Sequence, residues 1–132
     1  FKQKTAYEML RSLVGSEMCI RDRFFAAGPL EQAITNQSMG FVPSPEQGRM
    51  AGYGSFDLAI DVLEQAVSRH DYIAGDRFTA ADVYVGSQVG WGLQFGSIPT
   101  RAAFGDYRAR LETRAAYKRA TAIDDALLSP ST

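Results

Sequence analysis

Residues 24–132 contain few side chains of the types that carry out catalysis. His70 is the one histidine in the sequence, and it has neither a second histidine nor a nearby cysteine as a partner. We interpret it as a solvated residue at a helix end, where a cation is favoured. Asp124 and Asp125 are adjacent, so they would point in different directions on a helix. These residues predict no metal site and no catalytic group.

Asp82 is the acidic residue in the most distinctive context. It could serve as a general base, but it follows Thr79 by three residues, and this spacing is typical of a capping box at a helix start. Phe78 and Val83 occupy the two positions of a hydrophobic staple around the same start. We therefore interpret Thr79 and Asp82 as structural residues that begin a helix.

The helix that follows Asp82 is predicted to be buried, because its apolar side chains cover most of its circumference. Four glycines recur in it, and each glycine inside a helix costs about 1 kcal/mol relative to alanine. We expect them to permit close approach of neighbouring backbones. A membrane span is disfavoured, since the run is short and contains polar residues. The apolar residues are Val83, Tyr84, Val85, Val89, Trp91, Leu93 and Phe95, and the glycines are Gly86, Gly90, Gly92 and Gly96.

The remaining sequence also has helical periodicity. Residues 24–36 predict a helix with a kink near Pro29, and Ser44 followed by Pro45 predicts the cap and first residue of another. Three further helices are predicted by apolar stripes, which are Phe56, Ile60, Leu63 and Val67; Phe104, Tyr107 and Leu111; and Tyr117, Ala120 and Ile123. Residues 24–132 show no convincing strand pattern. The predicted class is all-α, with one domain.

Residues 1–23 differ in origin from the rest, by our interpretation. Residues 2–8 (KQKTAYE) and 13–22 (LVGSEMCIRD) resemble in-frame translations of the two ends of a short-read sequencing adapter. We expect 1–23 to be a non-native, adapter-derived segment; the alternative is a natural amphipathic helix. The segment includes Cys19, the single cysteine, so no disulfide or catalytic cysteine is expected elsewhere. Residues 24–132 have a net charge of −3, which argues against nucleic-acid binding.

Residues 75–82, GDRFTAAD, resemble the GD-x-(F/L)-(S/T)-x-A-D signature in the core helix of the C-terminal domain of cytosolic glutathione transferases. The similarity extends from about residue 24 to about residue 125 and is strongest to bacterial members. The resemblance implies that residues 24–132 form a glutathione transferase C-terminal-like helical bundle. It also implies a cytoplasmic protein and a homodimer.

In that family a thioredoxin-like domain binds glutathione and supplies the Ser, Tyr or Cys that activates its thiol. The resemblance implies that this domain is absent from the present chain, which would be inactive alone. The helical domain would wall the pocket for a small apolar electrophile. The positions that correspond to pocket residues are Phe24, Phe25, Gly28, Gln32, Tyr84 and Trp91.

Two alternatives remain at this stage. Tyr84 and Trp91 are as readily explained as core aromatic residues. The whole domain could instead be a non-catalytic, transferase-like helical module for protein–protein association. The sequence also departs from bacterial beta-class transferases, because it has no histidine on the first helix and lacks the region of their catalytic cysteine. The electrophile and the transferase class are left open.

Overall fold

The computed structural model describes residues 24–128, and these are helical throughout apart from connecting loops. In helix α1, Phe24 and Phe25 are α-helical, a π-helical turn follows over Ala26–Leu30, and the helix continues directly into Glu31–Ser38. The later helices are α2 (Pro45–Met50), α3 (Phe56–Arg69), α4 (Ala80–Phe95), α5 (Ala102–Glu112) and α6 (Ala115–Leu128). No β-strand occurs among the described residues, which confirms the all-α class. Residues 1–23, where the adapter-derived segment was predicted, lie outside the described residues.

The core forms where α1, α3, α4 and α5 meet. The predicted stripe on α3 is confirmed, since Ile60, Leu63 and Val67 are all buried. The stripe on α5 is confirmed as well, and it supplies two of the largest fully buried side chains, Phe104 and Tyr107. These stripes face one another because both helices bury the side on which apolar residues recur at three and four.

The predicted start of α2 is also confirmed. The Ser44 hydroxyl accepts the Gln47 backbone N–H at 3.2 Å, and the Gln47 side chain accepts the Ser44 backbone N–H at 2.8 Å, with Pro45 as the first helical residue. Near Pro29 the helix changes to π geometry. The proline lacks a backbone N–H, and this one wide turn accommodates the missing α-helical bond.

The prediction that α4 is buried around most of its circumference is wrong. Ala81, Val85, Val89 and Gly92 are buried, whereas Trp91 is 59% exposed. Val83 and Phe95, on the same side, are 60% and 75% exposed. Helices α1 and α5 cover one side of α4, and α6 packs mainly against α5. Composition alone did not reveal that a mostly apolar helix would be covered on one side.

The glycines of α4 have three different surroundings. A Cβ at Gly86 would meet the Leu111 side chain, and one at Gly92 would lie 2.8 Å from the Ile98 side chain. Gly90 has open space above it, and Gly96 ends the helix in the left-handed conformation with φ of 67°. The close approaches therefore involve side chains rather than the neighbouring backbones that we predicted. A close backbone approach occurs instead between Gly48 and Gly54.

Candidate functional site

The start of α4 is fixed by a network of hydrogen bonds on one buried carboxylate. Asp82 is 1% exposed. Its Oδ2 accepts the Thr79 backbone N–H at 2.8 Å and the Thr79 hydroxyl at 3.1 Å, and the reciprocal half of the capping box is present. Its Oδ1 accepts the Ile73 backbone N–H at 2.8 Å and the Tyr107 hydroxyl at 3.0 Å. We call Ile73, Thr79, Asp82 and Tyr107 the Asp82 network.

The hydrogen bonds of the Asp82 network leave its carboxylate unsuited to act as a catalytic base. Each carboxylate oxygen of Asp82 already accepts two hydrogen bonds, so neither is placed to accept a proton from a substrate. Burial, together with the charge of Asp82 and its hydrogen bond, raises the pKa of Tyr107 well above its ordinary value. The phenol is therefore a fixed donor at neutral pH. The capping role predicted for Thr79 and Asp82 is present in the structure.

Phe78, one of the two predicted staple residues, has contacts beyond its own helix. Its ring meets the Tyr72 ring edge to face, with centroids 5.9 Å apart. The guanidinium carbon of Arg114, the residue directly before α6, lies 3.2 Å from the Phe78 ring centroid. Val83, the predicted partner, is exposed. Phe78 thus links the start of α4 to the start of α6.

A cleft of about 570 Å³ lies between α4 and α6, with α5 as its floor. We call it the α4–α6 cleft. Its volume is in the range of small-molecule sites. Trp91 and Val83 line it from α4, Leu111 from α5, and Tyr117 and Ala120 from α6. Apolar and aromatic surface therefore dominates the lining of the cleft.

The charged residues of the cleft are distributed unevenly. Arg108 and Glu112 form an ion pair with a Nε to Oε1 distance of 2.6 Å, and this hydrogen bond raises the pKa of Arg108. Arg114 stacks on Phe78 at one end, and Asp124 lies ten residues further along, near the other end of α6. Asp82 lies at the back, with its oxygens already hydrogen-bonded. The cleft thus combines an apolar and aromatic lining with charged residues from α4, α5 and α6.

The six residues predicted to line an electrophile pocket do not share one surface. Trp91 lines the α4–α6 cleft. Phe25 lines a separate, shallower groove with Pro29 and Val62. Gln32 donates to the Asn36 side chain at 2.9 Å, and that amide donates in turn to the Tyr53 hydroxyl at 2.7 Å.

The other three predicted residues are placed differently again. Phe24 is 72% exposed, and Gly28 is exposed with open space above it. Tyr84 is partly buried against the core, which agrees with the alternative that it is a core aromatic. Of the six, Trp91 is the residue with the exposure and surroundings of a ligand contact. The assignment of the set to an electrophile pocket stays a prediction.

Sequence reasoning missed Arg114 and did not connect Tyr117 with Trp91. The spacing of Tyr117 and Ala120 did predict an apolar face on α6, and residues 115–127 have no buried side chain. The available signal was the apolar face of α6, which could line a cleft because it is not buried in the core. His70 is the exposed residue that ends α3.

Within residues 24–128, no group of His, Cys, Asp and Glu side chains is arranged to hold a metal ion. None of the helices in that part of the chain combines the length and apolar character needed to cross a membrane. Comparison with protein-family models, with curated proteins and with solved structures found no match to this chain. We therefore infer function from the residues and their geometry.

Proposed function

We propose that residues 24–132 are the helical, electrophile-binding domain of a cytoplasmic, homodimeric glutathione transferase, and that glutathione is bound and activated by a domain outside these 132 residues. The signature at residues 75–82 and the all-helical architecture support this proposal. The observation that carries it is Trp91, a large aromatic side chain 59% exposed in an apolar cleft of ligand size.

The role of the cleft would be to position a co-substrate. In such a reaction the glutathione sulfur forms a bond to an electrophilic carbon, and a leaving group departs with its electron pair. Holding the electrophile beside the sulfur lowers the barrier by proximity. Among the described residues that line the cleft, the Ser87 hydroxyl donates to the Tyr84 carbonyl at 2.8 Å and Arg108 is paired with Glu112. Neither is suited to activate a thiol.

The test begins with the complete reading frame that encodes this domain. Its product should retain bound glutathione and conjugate a neutral aryl chloride, and the 132-residue chain should give no turnover above background. Trp91→Leu in the complete product should raise the KM for the aryl chloride and leave the KM for glutathione unchanged. Turnover by the 132-residue chain alone would contradict this division of roles. An uninterrupted genomic reading frame that encodes residues 1–23 would contradict the adapter assignment.

The second candidate is a non-catalytic module for protein–protein association. It is favoured by the apolar side chains that α4 exposes, Val83, Trp91 and Phe95, because exposed apolar patches are typical of interaction surfaces. The complete product would then fail to bind immobilised glutathione. A cis-proline glutathione clamp and an activating Ser, Tyr or Cys encoded upstream would favour the enzyme.

A further inference from the structure

We infer that the α4–α6 cleft selects aromatic carboxylates, with the carboxylate bound by Arg114 and the ring held between Trp91 and Tyr117. This inference deepens the proposed function, because it takes the cleft as the co-substrate site. It starts from the one cation of the cleft that has no anionic partner among residues 24–128.

The two arginines of the cleft differ in what their guanidinium groups contact. Arg108 Nε donates to Glu112 at 2.6 Å, so its charge is already compensated. Arg114 is half-buried, and within the described part of the chain its guanidinium makes no hydrogen bond or ion pair. Its contact is with the face of Phe78, at 3.2 Å from the ring centroid. The contact with Phe78 holds the Arg114 guanidinium plane in one orientation and leaves its N–H groups able to donate hydrogen bonds to a ligand.

A stacked guanidinium with free edges is suited to a carboxylate. The planar group presents paired N–H donors that match the two oxygens of a carboxylate, and stacking on an aromatic ring reduces the side-chain freedom lost on binding. Removal from bulk water strengthens such charge-assisted hydrogen bonds. A neutral ligand would bind less well at this position, because it would leave the positive charge of Arg114 uncompensated.

The rest of the cleft indicates what is attached to the carboxylate. Trp91 and Tyr117 line the cleft from opposite helices, and Gly90 of α4, which also lines it, has open space above it. Flat aromatic rings bind favourably against such side chains. Asp124 would repel a carboxylate, but ten residues of α6 separate it from Arg114 by about 15 Å along the helix. The buried Asp82 carboxylate already accepts four hydrogen bonds.

The test compares 2-naphthoate with its neutral analogue 2-naphthalenemethanol, each titrated calorimetrically into the 132-residue chain at 0.1 M salt. We expect the acid to bind about tenfold more tightly, as a charge-assisted hydrogen bond would give. Arg114→Gln should reduce the ratio of the two affinities to about one, without changing the affinity for the alcohol. The matched control is Lys118→Gln, which removes an exposed cation of α6 that does not line the cleft and should leave the ratio unchanged.

Equal affinities for the acid and the alcohol in the unmodified chain would overturn the inference, as would a ratio that survives Arg114→Gln. If the alcohol binds and quenches Trp91 but the acid has no advantage, only the carboxylate preference fails. If neither compound binds, both this inference and the proposed use of the cleft fail. Should Arg114→Gln not fold, Arg114→Lys decides the matter: it keeps the charge but not the paired donors, so a clearly reduced ratio supports the inference and an unchanged ratio overturns it.

Discussion

The two ends of α4 belong to one helix but have opposite surroundings. At the first turn, Asp82 is buried and accepts hydrogen bonds from Ile73, Thr79 and Tyr107. In the last turns, Trp91 and Phe95 are mostly exposed, although they are more apolar than Asp82. Burial along α4 thus follows from which side of the helix faces α1 and α5, since Val83 near the first turn is 60% exposed and Gly92 near the last is buried. The first end holds the fold together, and the second leaves aromatic surface available for a ligand.

Removal of the Asp82 carboxylate should have the largest effect. Asp82→Ala would leave two backbone N–H groups and the Tyr107 hydroxyl without their acceptor in a buried region. Because each orphaned buried donor costs about 1–3 kcal/mol, we expect the free energy of unfolding to fall by about 3 kcal/mol or more, measured by urea denaturation. The control is Asp124→Ala in the exposed helix α6, which should change stability by less than about 0.5 kcal/mol. Equal losses of stability in Asp82→Ala and Asp124→Ala would contradict the structural role of the Asp82 network.

Tyr107→Phe deletes one partner of Asp82 and should cost about 1.5 kcal/mol at neutral pH. Its effect should change with pH, since the pKa of Tyr107 is raised in the folded state by burial and by the charge of Asp82. Above the ordinary tyrosine pKa of about 10, the unfolded chain loses this proton and the folded chain keeps it. The stability supplied by Tyr107 is therefore complete below pH 10 and decreases above it, by up to about 1.4 kcal/mol per pH unit. The loss of stability on raising the pH from 9 to 11 should be smaller in Tyr107→Phe, and an identical loss would contradict the assignment.

Two glycines of α4 offer a matched pair. A methyl group at Gly92 would press on the Ile98 side chain, which is buried and has little room to move. Gly92→Ala should therefore lower stability by about 1 kcal/mol, since overpacking outweighs the gain in helix propensity. Gly90 has no atom within 4 Å of such a methyl group, so Gly90→Ala should raise stability by up to about 1 kcal/mol. Thermal unfolding of both variants checks the order, and a stabilising Gly92→Ala would contradict the packing described here.

Trp91→Leu should have the smallest effect on stability, below about 0.5 kcal/mol, because the indole is mostly exposed. Its effect on binding should be larger, with the affinity for 2-naphthalenemethanol reduced about fivefold or more through loss of an aromatic contact. Calorimetry measures the affinity and urea denaturation the stability. A large loss of stability with unchanged affinity would make Trp91 a core residue after all.

The local features of the fold could be predicted from the sequence, and the long-range ones could not. Capping boxes at Ser44 and Thr79 depend on residues three positions apart, so spacing alone reveals them. The bonds from Ile73 and Tyr107 to Asp82 join residues 9 and 25 positions apart, and no local pattern encodes them. Arg101 likewise bridges to Asp61 and Glu64 on α3, 40 and 37 positions away, through oxygens at 2.7 and 2.6 Å.

The candidate site was predictable to a smaller extent. Trp91 was identified through a family resemblance, and its exposure agrees with a ligand-binding role without testing it. Arg114 was not identified, because its significance depends on stacking against Phe78 and on having no ion-pair partner among residues 24–128, both of which are properties of the folded chain. The apolar stripe of α6 was recognised, but the sequence could not tell whether it faced the core or a cleft.

Hydrogen–deuterium exchange along α4, with and without 2-naphthoate, tests the central claim most directly. Amides of residues 82–89 should be strongly protected in both states, because the Asp82 network and the core hold that part of the helix. Amides of residues 93–96 and 115–124 should exchange quickly in the free chain and become protected when the ligand binds. Uniform protection along α4 in the free chain, or ligand-induced protection confined to residues 73–82, would contradict the account.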